Sequence, residues 1–414
     1  MGWKNIFGSK NKHAAEAKAS ASAPLLVQYG VGQPRFTPRQ YDQLAKEAYQ
    51  KNVIAYRCIR LISQNAAAVP WVVMRGKGAH KTRMEDHPLA QLLSQPNPMQ
   101  GGAELFASIY GFYLIAGNGY IEAVCPKRGD TPRELWTLRP DRMRIIPGHH
   151  GIPSAYRYQV GGNAVDFPVD GISGAADVLH LKSFHPLDDW YGMSALEAAA
   201  ASIDQHNDAA KWNAALLQSS GRPSGALIYK PPHAETSATL TDEQRQSLKT
   251  ELEAFFTGAG NAGRPLVLEG GLDWREMSLS PKDMDWLAGK DVSAREIALA
   301  FHVPPQLVGI DGSLTFANFE QARLALFDDA ILPLIDHVKD ELNHWLAPRF
   351  GDDISIDYDV DKIEAFAQRR EKIWQRVNAA DFLTLNEKRA ALGLPPLTGG
   401  DNLGAAVSKT DTTA

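Results

Sequence analysis

Val53-Ile54-Ala55-Tyr56-Arg57-Cys58-Ile59-Arg60-Leu61-Ile62-Ser63-Gln64-Asn65-Ala66-Ala67-Ala68-Val69-Pro70-Trp71-Val72-Val73-Met74 changes its periodicity partway through, and that change decides the fold class. Ile54, Cys58, Leu61, Ile62, Asn65, Ala66 and Val69 recur at helical spacing, and Pro70 stops the helix. Trp71 to Met74 then reads as a strand, so helix and strand alternate within a few residues. Outward from here the same mixture continues. Leu105 to Ala116 predicts a helix that is apolar on nearly every face, and Gly117-Asn118-Gly119 breaks it before a strand at Tyr120 to Val124. Short strands are expected through Leu135, Arg144 to Ile146, Tyr156 to Val160 and Val178 to Leu181, giving an α+β region over residues 25–190.

Beyond it, Ser194 can cap an alanine-rich helix running to about Gln218. Leu196, Ile203, Ala210 and Leu217 recur in it every seven residues, one narrow stripe for a neighbouring helix. Asp204, Asp208, Lys211 and Asn213 occupy the rest, so this helix is expected to lie beside copies of itself. Gly225 to Lys230, Thr241 to Phe256, Arg264 to Glu269 and Leu272 to Met277 read as strand, helix, strand and strand, a small α/β insert. Ser280-Pro281-Lys282-Asp283 starts another helix, which ends at Val303-Pro304-Pro305. The strongest periodicity follows, in Leu324, Phe327, Ile331, Leu334, Ile335, Val338, Leu342 and Trp345. Pro333 lies inside it and predicts a kink near Asp329 to Pro333, because proline removes one backbone donor and crowds the preceding turn.

The chain has 414 residues, enough for two or three packed regions at roughly 150 residues each. Lys plus Arg number 43 and Asp plus Glu 48, a net charge of -5, which argues against tight binding of nucleic acid through phosphate neutralisation. Cys58 and Cys125 are too few for a disulfide framework and suit a reducing compartment. Neither a run of about 18 apolar residues nor a signal peptide is visible, so no membrane association is expected. Residues 8–24 and 399–414 hold few large apolar groups, and 1–24 and 399–414 are expected to be a disordered arm and tail.

Motifs for chemistry are weak. Gly258 to Arg264 lacks the Lys-Ser/Thr pair of a phosphate loop, and Gly192-Met193-Ser194-Ala195-Leu196 lacks the second glycine of a nucleophile elbow. Asp353, Asp357, Asp359 and Asp361 alternate and could hold a divalent ion on one face of a strand, or simply form an acidic edge. His180, His185 and His302 have no companions at metal spacing, and Arg369-Arg370 fits a solvated helix face. No catalytic residue, cofactor or metal is therefore expected. A structural or interaction protein is favoured, with another kind of oligomeric assembly, or a metal-dependent hydrolase using Asp353 to Asp361, as the alternatives.

One order of parts is more specific. Cys58 to Pro70, His87-Pro88-Leu89 with Leu92-Leu93, Gln95-Pro96-Asn97-Pro98, Gly117-Asn118-Gly119-Tyr120 and Leu138-Arg139-Pro140-Asp141-Arg142 are followed by Tyr191-Gly192-Met193-Ser194, Phe301-His302-Val303-Pro304-Pro305 and Phe316-Ala317-Asn318-Phe319-Glu320-Gln321. Over about residues 50 to 395 this resembles the portal proteins of tailed bacteriophages, with His302 departing from the glycine often found before Val-Pro-Pro.

The resemblance implies a ring, typically of twelve subunits, at one capsid vertex. Double-stranded DNA enters through it, driven by a terminase, and later leaves through it, while the ring itself hydrolyses nothing. It implies a wing over 25–190, a first stem helix over 191–220, a clip over 221–280, a second stem helix over 281–305, a tunnel loop over 306–319, the kinked helix and a wing strand over 320–360, and crown helices over 361–398. Asp311, Gly312, Ser313, Leu314, Thr315, Phe316 and Asn318 would border the DNA, and the absence of basic groups among them suits a conduit that must not hold its cargo. Arg222, Lys230, Glu243, Arg245, Lys249 and Glu251 would face the terminase large subunit and then a head-tail adaptor. Leu196, Ile203, Ala210 and Leu217 would form the subunit interface. The major capsid protein is the remaining implied partner, and the implied location is the virion, after assembly in the cytoplasm of a bacterial host.

Overall fold

A computed structural model describes residues 40–76, 81–127, 130–149, 151–218, 225–229, 241–243, 245–248, 250, 272–276, 286–310, 315–394 and 396–401. The chain enters through α1 (Tyr41–Leu44), which continues as a π turn over Ala45–Gln50. Asn52 then starts α2 (Val53–Ala67), its side-chain oxygen accepting from the backbone N–H of Ile54 and Ala55 at 3.1 and 3.0 Å. As the spacing predicts, α2 stops before Pro70 and β1 (Trp71–Arg75) follows, with β2 (Thr82–Arg83) beside it. Next come α3 (Pro88–Ser94) and α4 (Gly102–Ala116). Ile59, Ile62, Leu105 and Ile109 are buried between α2 and its neighbours, and each stabilises the fold by about 1.5–3 kcal/mol.

Gly117 ends α4 with φ 69°, a left-handed conformation that costs glycine nothing, and turns the chain into β3 (Asn118–Val124). β4 (Glu134–Leu138), β5 (Met143–Ile146), β6 (Ala155–Val160), β7 (Asn163–Pro168) and β8 (Val178–Lys182) complete the strand-rich part. They form two antiparallel three-stranded sheets, ordered β4-β3-β8 and β5-β6-β7. A small core of Tyr120, Leu138, Met143 and Val178, with Tyr156, Tyr158 and Phe167 against it, joins them.

The capping box of Ser194 and Glu197 starts a helix as expected, but not one continuous helix. Ala199 sits in a turn (φ -86°, ψ 0°) that separates α5 (Ala195–Ala198) from α6 (Ala200–Gln218). β9 (Gly225–Tyr229) and β10 (Leu272–Glu276) pair antiparallel, Ile228 opposite Asp273. α7 (Trp286–Ala300) runs into the Val303-Pro304-Pro305 stop, while its expected cap at Ser280 lies outside the described residues.

α8 (Phe316–Leu326), a π turn over Phe327–Ile331 and α9 (Leu332–Trp345) make up the long apolar helix. The irregularity at Asp329 to Pro333 therefore takes the form of a wider-wound turn just before Pro333, whose missing N–H breaks the ordinary ladder there. β11 (Ile354–Tyr358) pairs with β1, giving a sheet ordered β11-β1-β2. The outer edge of β11 is closed by a side chain. Asn343 on α9 accepts from Ile356 N at 2.7 Å and donates to Ile356 O at 2.8 Å. α10 (Ala367–Asn378) and α11 (Leu385–Ala391) finish the described chain. One large core runs from α2 and α4 through β1, β3, β8, α7, α9 and β11; among the described residues the β5-β6-β7 sheet, the β9–β10 insert and the last two helices contribute none of it.

Candidate functional site

Two long helices, α6 and α7, leave the body on either side of the β9–β10 insert, and the body holds their inner ends through buried polar groups. Asn52, besides capping α2, donates its amide to Asn207 Oδ1 at 3.0 Å and lies 3.2 Å from His206 Nδ1, both on α6. Asn207 in turn donates to Glu47 O at 2.8 Å. His206 Nδ1 must therefore accept, which requires a neutral ring, and burial lowers its pKa, with nearby Lys290 acting in the same direction. The α6 and α7 helices also meet each other, Ser202 Oγ donating to Glu296 Oε2 at 2.6 Å and Ser293 Oγ to Gln205 Oε1 at 3.4 Å.

A second junction joins the start of β3 to the turn that launches α5. Asn118 Oδ1 accepts from Gly192 N at 2.8 Å and lies 2.9 Å from His180 Nε2, so that nitrogen carries a proton and donates. Asn118 Nδ2 donates to Ala116 O at 2.8 Å. A Cβ on Gly192 would collide with the Gly117 carbonyl oxygen and the Ser183 backbone nitrogen, so this approach needs glycine. His180 stacks on Tyr120 with ring centroids 4.5 Å apart, and its pKa falls to about 3, mainly through burial. His180 is thus a satisfied structural histidine. His185 Nδ1 accepts from Leu187 N at 3.0 Å, and His302 follows α7 with φ 53°, in the left-handed position where the related motif usually has glycine.

The loop expected to border DNA is fixed at both ends. Ile310 is buried and donates its N–H to Pro305 O at 3.2 Å; Thr315 caps α8 by accepting from Asn318 N at 3.3 Å. Asp311, Gly312, Ser313 and Leu314 lie outside the described residues, Phe316 opens α8, and Asn318 is exposed on its first turn. In the insert, Glu243 and Arg245 are exposed, and Arg245 pairs with Asp242 at 3.2 Å; Arg222, Lys230, Lys249 and Glu251 lie outside the described residues. So do Gly258 to Arg264.

Two expectations need correcting. Leu196 and Ile203, assigned to a contact between copies, are 0% and 2% exposed within the single chain. A seven-residue repeat of apolar groups serves an internal seam as well as an external one, and here α5 and α6 spend it on their own core. Ala210, seven residues and about two turns further along, is exposed, and the side chain of Leu217 lies outside the described residues. The carboxylates of the hydrolase alternative do not converge either. Asp353 pairs with Arg75 at 3.2 Å, Asp359 with Arg83 at 2.8 Å, Asp357 Oδ1 accepts from Tyr358 N at 2.9 Å, and Asp361 lies exposed beyond the strand. Among the described residues no group of three or more His, Cys, Asp or Glu side chains could hold a metal ion, and no helix is long and apolar enough to cross a membrane.

A mixed body carrying two long helices, an insert between them and a loop tied at both ends, with no catalytic or metal cluster among the described residues, defines a scaffold rather than a reaction centre. The family model described as phage portal protein matches residues 54–393, and the chain belongs to that family. The portal protein of Enterobacteria phage HK97 is 24% identical over 84% of this chain and 79% of its own. Two solved structures are closer in sequence. The neck of an empty gene transfer agent particle computed with C6 symmetry is 44% identical, with a TM-score of 0.68 over 90% of this chain and 98% of that one. The neck of the native particle computed with C12 symmetry is 43% identical, with a TM-score of 0.65 over 89% and 97%.

Proposed function

We propose that twelve copies of this chain form a ring at one capsid vertex, through which double-stranded DNA enters the particle during packaging and leaves it during ejection. The observation that carries this reading is the 43% identity to a neck with C12 symmetry along almost the whole of that chain. α6 and α7 are then the stem around the channel, and the insert between them, residues 221–280, is the clip that projects away from the body. Residues 361–398 form the crown.

In this arrangement the tie points of the 306–319 segment have a mechanical role. Ile310 and the Thr315 cap anchor the residues on either side of Asp311 to Leu314, the stretch that borders the channel in this reading. Its uncharged and acidic composition keeps DNA contact weak, because each phosphate neutralised by a cation would add affinity and slow translocation. The clip docks first the terminase large subunit and then a head-tail adaptor, with Glu243 and Arg245 on its exposed helical surface. The body meets the major capsid protein. The ring assembles in the cytoplasm of a bacterial host before joining the virion.

Electron microscopy of the purified protein, combined with mass measurement, tests this directly. Closed rings of twelve times the 45.3 kDa chain are expected, and a stable monomer under assembly conditions would overturn the reading. Deleting Asp311 to Thr315 should leave rings intact while particles fill with less DNA.

A further inference from the structure

The contacts between α6 and α7 fix how each helix is turned about its axis, since successive side chains step by about 100°. α6 gives Ile203 and His206 to the core and Ser202 and Gln205 to α7; α7 gives Ala294, Ile297 and Ala298 to the core and Ser293 and Glu296 to α6. α7 leaves outward Ala288, Val292, Arg295 and Leu299, spaced four, three and four residues apart like the seam of a coiled coil, with exposed Asp291 bordering them. Val292 is 54% and Leu299 72% exposed. α6 leaves outward Ala201, Asp208, Lys211 and Ala215, with half-buried Asp204 on the same side, and Lys211 pairs with Asp208 at 2.8 Å. Going from mutual contact to core, the two helices turn in opposite senses, so these stripes fall on opposite flanks of the pair.

The flanks complement each other. One carries the long aliphatic groups of Val292 and Leu299 with Asp291 and Arg295 beside them; the other carries alanines that leave room for them, with Asp204 and the Asp208–Lys211 pair. A closed ring needs two different surfaces of one chain to match, and these two do. We infer that α7 of one copy seats its Ala288, Val292, Arg295 and Leu299 stripe on the Ala201, Asp204, Asp208 and Ala215 stripe of α6 in the next copy, with Arg295 facing the carboxylates. This rests on the ring reading above and goes beyond it by naming the two faces, in place of the buried Leu196 and Ile203.

The full-length chain carrying the photo-crosslinker p-benzoylphenylalanine at position 292 tests the pairing. Irradiation of assembled rings is expected to join chains between position 292 and the Ala201 to Ala215 peptide. Links to any other segment, or none in intact rings, would overturn the pairing while leaving the ring itself standing; failure of the unmodified chain to form rings would overturn both. Leu299→Asp should raise the concentration needed for assembly on the order of ten-fold or more, with the thermal midpoint of the unassembled chain unchanged because the side chain is exposed there. Assembly unaffected by Leu299→Asp also counts against the pairing. Arg295→Glu should weaken assembly, and adding Asp204→Arg and Asp208→Arg should restore it; no recovery would remove the charge contact from the proposal.

Discussion

Single side chains carry much of the geometry. Asn52 uses its oxygen to start α2 and its amide to hold α6, so Asn52→Ala removes a cap and leaves buried Asn207 short of a partner. The expected loss is about 2–4 kcal/mol in urea unfolding, at the upper end if no water replaces the amide. Gly192→Ala should cost about 1–3 kcal/mol or more, because the colliding atoms are backbone and cannot swing aside. His180 makes stability depend on pH. Its folded pKa of about 3 lies below the ordinary 6.5, so the unfolded chain binds the extra proton, and the stability is fully present above pH 6.5. It is lost progressively as pH falls from 6.5 toward 3, and His206 contributes in the same direction. Acid titration of the unfolding midpoint should therefore be flatter in His180→Phe than in the unsubstituted chain.

At the scale of elements, the closure of β11 by Asn343 makes a prediction of its own. Asn343→Leu keeps the volume but abandons both backbone groups of Ile356, costing about 2–4 kcal/mol and exposing a strand edge. Urea unfolding and light scattering would show loss of stability together with aggregation. Elements whose signals are local were legible in the sequence: the Pro70 stop, the Gly117 turn, the capping residue Ser194 and the periodic stretch through Trp345. β7 was not, because Asn163 to Pro168 carries polar and apolar groups on a largely exposed strand with no buried face to mark it. The turn at Ala199 lies inside an alanine-rich run with no breaker. The burial of Leu196 and Ile203 was hidden for a different reason: a heptad reports that a helix has a partner but not whether that partner belongs to the same chain. The ties at Asn52 and Asn118 join residues far apart in sequence, and no local pattern announces them.

For the whole molecule, resemblance in the order of motifs gave more than any single residue. Composition argued against tight phosphate binding, and family membership supplied the assembly, which no monomer property could. The assembled ring should retain duplex DNA weakly, with a salt dependence equivalent to neutralising only a few phosphates; a steep slope like that of a repressor in a titration from about 50 to 200 mM salt would contradict a conduit. The pairing of β9 with β10 bears on how such proteins diversify. The described strands of the insert bond to each other and to no strand of the body. Under the clip reading proposed above, exchanging the insert for that of a relative is expected to leave the ring unchanged and to change which tail machinery it accepts.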